Sequence, residues 1–372
     1  MNTILTRYLI KSVMMNVLSV MFVLLSITML YEFISQLDNI TGNYNAFDAF
    51  LFALLRLPQL VFEMLPVSML IGSLVCLGNH ANNSELVIMH SAGISIRDLA
   101  KILSMGGLVG IVISILVGEF MGPPLDYYAR NMRDEARYGS SEADFGNAVW
   151  VKDGNTIIHL ERVNTDYDFG SIYMFKLNED KSLKAIAVAE NSGIDNSEDW
   201  VLENFRETRF EDNKVTISSA RKINESFELN SDLLGVTLVK PISLSVRELS
   251  GYVGYLKKNG LSANRYEVEL WSRVSSLLTL VTMPILALTF VYSSLRNTGG
   301  GTRITVGLII GLVYFLIREL IFNYGQVYGV NSILTAWLPP ILLLSIAMYR
   351  LRLVRYRSVS YTHLTLPTIL LV

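Results

Sequence analysis

Cysteine is almost missing from this sequence: Cys76 is its only one, and it lies in an apolar stretch. No disulfide can form within the chain and no cysteine cluster can hold a metal; a small hydrophobe packed in a helix is the ordinary use of such a residue. Histidine is nearly as scarce, with four in 372 residues, and there is no metal-spaced cluster of His and Cys. There is no nucleophile-elbow Gly-x-Ser-x-Gly. The run Gly299-Gly300-Gly301-Thr302-Arg303 lacks the Gly-Lys-Ser/Thr ending of a phosphate-cradling loop, so it reads as a tight turn rather than an ATP site. Charge is short as well, at 17% of residues against about 25% in soluble domains. What there is falls mostly in one place, since 24 of the 33 acids and 18 of the 31 bases lie between Asp126 and Glu267. No concentrated basic face exists outside a short C-terminal cluster, which argues against nucleic acid as a partner. Neither catalytic residues, nor a metal site, nor a cofactor motif emerge.

What the sequence has in quantity is apolar residues, 51% of the chain, with a mean hydropathy of +0.39. They gather in long runs: Val13 to Ile34, Ala46 to Gly78, Ile102 to Met121, Val274 to Leu295, Ile304 to Ile321 and Ile333 to Met348. The first follows Arg7 and Lys11 like a secretion signal, but it has 22 residues and no small-x-small cleavage pattern. It is therefore read as a retained membrane span of ~33 Å. The second run is too long for one straight span and holds Pro58 and Pro66, so Ala46 to Leu57 is expected to be a lead-in helix, with proline kinks following. Six spans result. Arg7, Lys11, Arg97, Lys101, Arg296, Arg303, Arg350, Arg352, Arg355 and Arg357 recur on alternate connections, whereas 35–45 and 323–331 contain no Lys or Arg. By the positive-inside rule both termini are cytoplasmic and the charged middle is on the far side.

The middle segment alternates in the manner of strands. Ala148 to Lys152 and Thr156 to Val163 flank Asp153-Gly154-Asn155, a hairpin signature. Ser171 to Leu177 with Leu183 to Glu190, and Trp200 to Phe210 with Val215 to Ala220, repeat the arrangement. Evenly spaced short strands predict a sandwich or jelly roll. Ser245 and Glu248 then form a capping box, and Gly260 ends a helix with Tyr252, Tyr255 and Leu256 on one side. The expected fold is membrane α-helical with a β domain, six transmembrane helices (3+3) flanking a β-jellyroll-like domain. Its parts are 1–126 with the first three spans, 127–263 with the β domain and its helix, 264–357 with the last three spans, and a tail 358–372.

Two stretches carry candidate sites. Between the second and third spans, Asn82 reads as the cap of a short helix with Glu85 at its third position, stopped by Ser91-Ala92-Gly93. Leu86, Val87 and Met89 beside Glu85 and His90 would suit docking in a groove of a cytoplasmic partner, and an ordinary interfacial turn explains them equally well. After the third span, Gly122-Pro123-Pro124 is expected to end the helix, and Asp126 to Tyr138 to resume one carrying Arg130, Arg133 and Arg137 on a shared face. That face can pair with lipid phosphates, because guanidinium binds phosphate in a bidentate fashion; neutralisation by Asp126, Asp134 and Glu135 is the simpler account. His159 and Glu161 are read as a surface pair. Arg56, Glu63, Glu119, Arg318 and Glu319 fall in or beside spans, where charge is costly and usually faces a cavity.

Several stretches, in their order around the six-span frame, resemble the LptF/LptG family of lipopolysaccharide-export permeases. They are Ser84-Glu85-Leu86-Val87-Ile88-Met89 with Ala92-Gly93, Ala129-Arg130-Asn131, Trp150-Val151-Lys152-Asp153-Gly154-Asn155, Glu161-Arg162-Val163, Tyr255-Leu256-Lys257, Arg265-Tyr266 with Trp271-Ser272, and Leu295-Arg296. The resemblance implies a non-enzymatic permease subunit in the bacterial inner membrane. Its partners would be a second, LptF-like permease, a cytoplasmic LptB-like ATPase dimer that hydrolyses ATP, and a single-span LptC-like periplasmic bridge protein. Lipopolysaccharide would be drawn from the outer leaflet of that membrane into the bridge. The resemblance also implies that Glu85, Leu86, Met89 and His90 belong to the coupling helix on the ATPase, and that Arg130 and Arg133 face lipid A phosphates. The lysines such permeases carry at the outer end of the first span are here Glu32, Asp38 and Asn39. Arg318, about 21 Å along its helix from Ile304, is expected to replace them in part, with pairing to Glu32 or snorkelling as the alternative. The tail Ser358 to Val372 is too short, with Pro367 inside it, to make another span, and is expected to add nothing to folding or transport. The other functional classes compatible with the composition are a membrane-anchored periplasmic sensor or assembly factor, and a permease for another lipid or lipoprotein.

Overall fold

The computed structural model describes residues 3–41, 43–142, 149–161, 169–194, 200–211, 214–227, 241–293 and 299–360. The predicted positions Arg162, Val163, Leu295 and Arg296, and the tail beyond Ser360, lie outside them. In chain order the helices are α1 (Thr3–Leu37), α2 (Ala46–Leu55), α3 (Leu57–Asn82), α4 (Glu85–Ser91), α5 (Ile96–Ile115), a π-helical turn (Leu116–Met121) and α6 (Gly122–Glu142). After the strands come α7 (Val246–Lys258), α8 (Asn264–Ser293), α9 (Gly300–Tyr328) and α10 (Ser332–Ser360). Among the described residues six helices are long and apolar enough to cross a membrane. The chain divides into two compact units, one of Met1–Glu32, Arg56–Pro124 and Val268–Val372, the other of Phe33–Leu55 and Leu125–Glu267. The second unit thus takes in α2, which the sequence reading grouped with the first spans.

In the first unit the spans approach most closely at glycines. A Cβ at Gly72 of α3 would lie 2.6 Å from Val17 Cα of α1, and one at Gly107 of α5 would lie 2.7 Å from Val281 Cα of α8. Gly307 and Gly311 of α9, four residues apart, face Ile71, Leu74 and Val67 of α3. Small residues at helical spacing allow such approach, which matters in lipid because van der Waals packing rather than water exclusion holds helices together there. Leu9, Val13, Met69, Leu74, Leu286 and Leu288 are among the buried side chains of the resulting core.

Three local expectations are corrected by the structure. The helix break before α3 falls at Arg56 rather than after Leu57, leaving Pro58 in the first turn of α3, while Pro66 lies inside that helix. Gly122-Pro123-Pro124 does not stop the third span: the Gly122 N–H donates to Val117 O, five residues back, and α6 follows directly. Proline is tolerated in a first helical turn, where its missing N–H has no intrahelical acceptor, so the wide turn carries the helix across both prolines. The glycine run is not a turn either; Gly299 is extended and Gly300 begins α9.

In the second unit the strands are β1 (Val149–Asp153), β2 (Thr156–Leu160), β3 (Ile172–Leu177), β4 (Leu183–Ala189), β5 (Asn191–Ile194), β6 (Trp200–Glu211) and β7 (Lys214–Glu225). They form one antiparallel sheet, β1-β2-β3-β4-β6 in order, with β5 also on β6 and β7 on β6. The predicted hairpins are all present; the first turns at Gly154, whose φ of 54° glycine adopts without a Cβ clash. One row, Val151, Ile158, Met174 and Ala187, lies in register across four strands and is buried. The neighbouring row, Trp150, His159 and Tyr173, lies on the opposite face with ring centroids 4.6 and 6.0 Å apart. His159 is thus part of an aromatic ladder, and Glu161 accepts the Ser171 N–H at 3.1 Å.

The sheet is curled rather than flat. Lys176 on β3 reaches Glu225 at the end of β7 (3.1 Å) and Glu207 of β6 (3.3 Å), although β4 and β6 separate β3 from β7 in the sheet. Burial alone would lower the Lys176 pKa; the bonds and charges of Glu225 and Glu207 outweigh it and hold the ammonium above the ordinary lysine value. A raised folded pKa stabilises fully below the unfolded value and is lost as pH rises through the folded one, so this closure is intact at neutral pH. The curl takes the place of the two separate sheets of a sandwich. Ser245 and Glu248 form the predicted capping box of α7, which ends before Gly260. Helix α7 locks onto the first hairpin: Tyr255 Oη donates to Lys152 O (2.7 Å), Lys152 Nζ to Asn259 O (2.8 Å) and the Gly154 N–H to Asn259 Oδ1 (2.7 Å). Two of the resemblance-bearing motifs, over 100 residues apart in sequence, are thus one contact.

Candidate functional site

The first site is the corner between α3 and α5, which holds α4. Its N-cap is Ser84 in the left-handed region (φ 58°), with no side-chain cap bond, so Glu85 is the first helical residue rather than the third. Asn82, the expected cap, is instead the last residue of α3, and its Oδ1 accepts from Arg303 Nη2 at 2.8 Å. Arg303 is fully buried against Gly78, where a Cβ would stand 2.3 Å from its Nε. Leu86 and Met89 of α4 are 4% and 8% exposed and belong to the spans' core, while Val87 and Ile88 are 47% and 63% exposed. The outward apolar surface of α4 is therefore Val87 and Ile88, because a one-residue step along a helix turns a side chain by about 100°. His90 is exposed, its Nδ1 bonded to Ile94 O at 3.2 Å. The Glu85 carboxylate turns inward in part: Oε2 accepts from Tyr8 Oη at 3.0 Å and contacts His80 Nδ1 at 2.8 Å.

Elsewhere in the spans the isolated charges have partners. Arg56 pairs with Glu32, so Glu32 is engaged away from Arg318. Arg318 lies over the Phe322 ring, one turn on, with its carbon 4.7 Å from the centroid. Its Nη1 is 3.9 Å from Glu319, the long limit of an ion pair, as the poor geometry of adjacent helical residues predicts. Sequence reading missed Arg273, which stands just before the apolar run that begins at Val274. It is 5% exposed, donates to Gly118 O of the π-helical turn at 3.2 Å, and lies 3.8 Å from Glu119 and 5.2 Å from the Phe62 centroid. The available signal was a cation within one turn of a span, next to an acid, Glu119, already marked in another.

The second site, in the second unit, is the arginine face of α6. Arg130 Nε donates to Asp126 at 2.8 Å, and Asp126 is fully buried. Arg130 Nη2 also reaches Ser243 Oγ at 3.5 Å. Arg133 bonds Asp134 at 2.9 Å and stands 5.2 Å from the centre of the Phe52 ring of α2. Breaking a pair with a buried member costs about 3–5 kcal/mol, so Arg130 is first of all a brace of this unit. Arg133 is different, because its acid, Asp134, is 41% exposed and can be exchanged for another anion. Arg137 lies one turn beyond Arg133 on the same face and is half-buried.

Comparison with known proteins gives one answer throughout. Residues 7–353 match the family model described as lipopolysaccharide export system permease LptF/LptG. The chain is 30% identical over 340 residues to the lipopolysaccharide export system permease protein LptG of Escherichia coli K12, covering 90% of this chain and 94% of that protein. It is 29% identical over 342 residues to LptG of Haemophilus influenzae, covering 91% and 95%. With the permease protein LptF of E. coli K12 it shares 22% over 193 residues, 51% of this chain and 52% of that one. The match takes in the spans, the α4 corner, the arginine face and the curled sheet together, and the chain belongs to the LptF/LptG family of lipopolysaccharide export system permeases.

Proposed function

We propose that this chain is one permease of a pair, of the LptG kind beside an LptF-like partner, that moves lipopolysaccharide out of the bacterial inner membrane. ATP is hydrolysed by a cytoplasmic LptB-like dimer, and the lipid passes to a single-span LptC-like bridge protein. The observation that carries this reading is the extent of the family match, residues 7 to 353, which reaches all six described spans and takes in the sheet. In this reading both termini are cytoplasmic and the sheet is periplasmic, which the ten bases on alternate connections and the Lys/Arg-free segments 35–45 and 323–331 support. The parts of the chain are those given by the sequence: spans in 1–126 and 264–357 around the β domain 127–263. Helix α4 docks on the ATPase through Val87, Ile88 and His90, with Glu85 at its start. Release of lipopolysaccharide from vesicles holding this chain, its partner permease and the ATPase is expected on adding ATP, and to vanish when this chain is left out. Equal release without it excludes the reading.

Substrate phosphate is met on each unit by arginine. On α6 the contact falls to Arg133 and Arg137, with Arg130 holding their helix. On α9 it falls to Arg318, supported by the Phe322 ring, which stabilises the cation without neutralising it. Arg318→Ala is expected to weaken lipopolysaccharide binding about fivefold to tenfold at low salt, roughly 1–1.4 kcal/mol, and much less at high salt, because an accessible charge pair is screened. Binding that is unchanged at every ionic strength, with the protein assembled, leaves Arg318 as a snorkelling residue only.

A further inference from the structure

Five polar side chains from three helices meet behind α4. Tyr8 and Ser12 are four residues apart on α1, Cys76 and His80 four apart on α3, so each pair shares a helix face. His80 is 5% exposed and uses both ring nitrogens: Nδ1 lies 2.8 Å from Glu85 Oε2 and Nε2 3.1 Å from Ser12 Oγ, which is itself 3.2 Å from Cys76 Sγ. Tyr8 Oη donates to the same Glu85 oxygen at 3.0 Å, and its ring stands 5.6 Å from the His80 ring. One set of protons satisfies all of them. With Nδ1–H donating to the carboxylate, Nε2 accepts the Ser12 hydroxyl, and Ser12 accepts the Cys76 thiol.

We propose that Tyr8 and His80 are positioning residues that tie α4 to the first span through the Glu85 carboxylate, so that displacement of α4 is delivered to α1. The inference rests on the reading of α4 as the ATPase-docking helix and names how its motion leaves it. Apolar packing of Leu86 and Met89 seats α4 in the core but lets it slide; hydrogen bonds to one carboxylate oxygen are directional and do not. The corner just before turns at Ser84, left-handed at φ 58° and without a side-chain cap bond, so the start of α4 is held by the Glu85 bonds and not by a cap. Glu85 keeps about 30% of its side chain exposed, so a cation of a docked partner reaches the same group.

The test reads lipopolysaccharide released per ATP hydrolysed in the reconstituted full complex. His80→Asn places an amide N–H where Nδ1 stands and keeps the Glu85 bond; His80→Gln places it where Nε2 stands and keeps only the Ser12 bond. The expected result is a ratio near that of the unaltered chain for His80→Asn and at least a tenfold loss for His80→Gln combined with Tyr8→Phe, with the ATPase still co-purifying. Thermal unfolding of each complex is followed in parallel. Equal loss in both His80 variants, or loss that tracks a lowered unfolding midpoint, overturns the tie in favour of a packing role, as does an unchanged ratio in the double variant. Failure of the unaltered complex to release lipopolysaccharide with ATP overturns the functional reading itself, and is told apart because it needs no variant.

Discussion

Glu85→Lys is expected to bring ATP-driven lipopolysaccharide release to background while the chain remains inserted. The substitution replaces an acceptor of two hydrogen bonds with a cation facing the His80 N–H and the Tyr8 hydroxyl. Bonds to a charged group are worth about 1.5–3 kcal/mol each, and an anion in the first turn of a helix adds about 0.3–1 kcal/mol that a cation reverses. A loss of even about 3 kcal/mol at the coupling step lowers its rate by roughly 10²-fold. The fold survives because Leu86 and Met89 still seat α4 in the core. If the carboxylate also meets a basic residue in the ATPase groove, an acidic substitution at that residue restores part of the release. Release at the ordinary rate from Glu85→Lys, with hydrolysis unchanged, removes α4 from the coupling path.

Gly72→Ala is expected to destabilise the spans by about 2–3 kcal/mol, the upper range for an overpacked interior site. The added Cβ would meet backbone, Val17 Cα at 2.6 Å and Val17 N at 2.7 Å, and backbone in a helix cannot rotate aside as a side chain can. The helices α1 and α3 must move apart. Gly106→Ala is the matched control, since its Cβ meets nothing within 4 Å; with no crowding to oppose it, the better helix propensity of alanine, about 1 kcal/mol, stabilises that variant. Thermal unfolding of the detergent-solubilised protein measures both. Equal midpoints for the two variants show that α1 and α3 do not approach as closely as described.

Both predictions separate what was legible beforehand from what was not. Glu85 stood out because a short helical stretch between two spans starts with an acid, yet nothing local told that His80, five residues earlier, and Tyr8, 77 residues earlier, hold it. The sequence reading gave Leu86, Val87 and Met89 to a partner; the structure buries Leu86 and Met89 and leaves Val87 outward beside Ile88. An apolar pattern shows that a helix has a greasy face, and which body covers that face is a fact about the rest of the molecule. Gly72 lay unremarked in a run that also holds Gly78, because a glycine's use depends on what crosses it.

Elements with local causes are legible in the residues alone. The long apolar runs became helices because their backbone bonds close within the segment. Asp153-Gly154-Asn155 became a hairpin turn because glycine alone takes its φ without strain, and Ser245 with Glu248 started α7 because each side chain bonds the other's backbone. The third span's passage through Gly122-Pro123-Pro124 was decided only in three dimensions. There a π-helical turn sets Gly118 against Phe62, and Arg273, 155 residues away, donates to the Gly118 carbonyl. The curl of the sheet, too, shows only in three dimensions, where it brings Lys176 to Glu225 across two intervening strands. Local rules end at one turn of helix or one hairpin, whereas a buried charge must find its partner wherever the folded chain brings one.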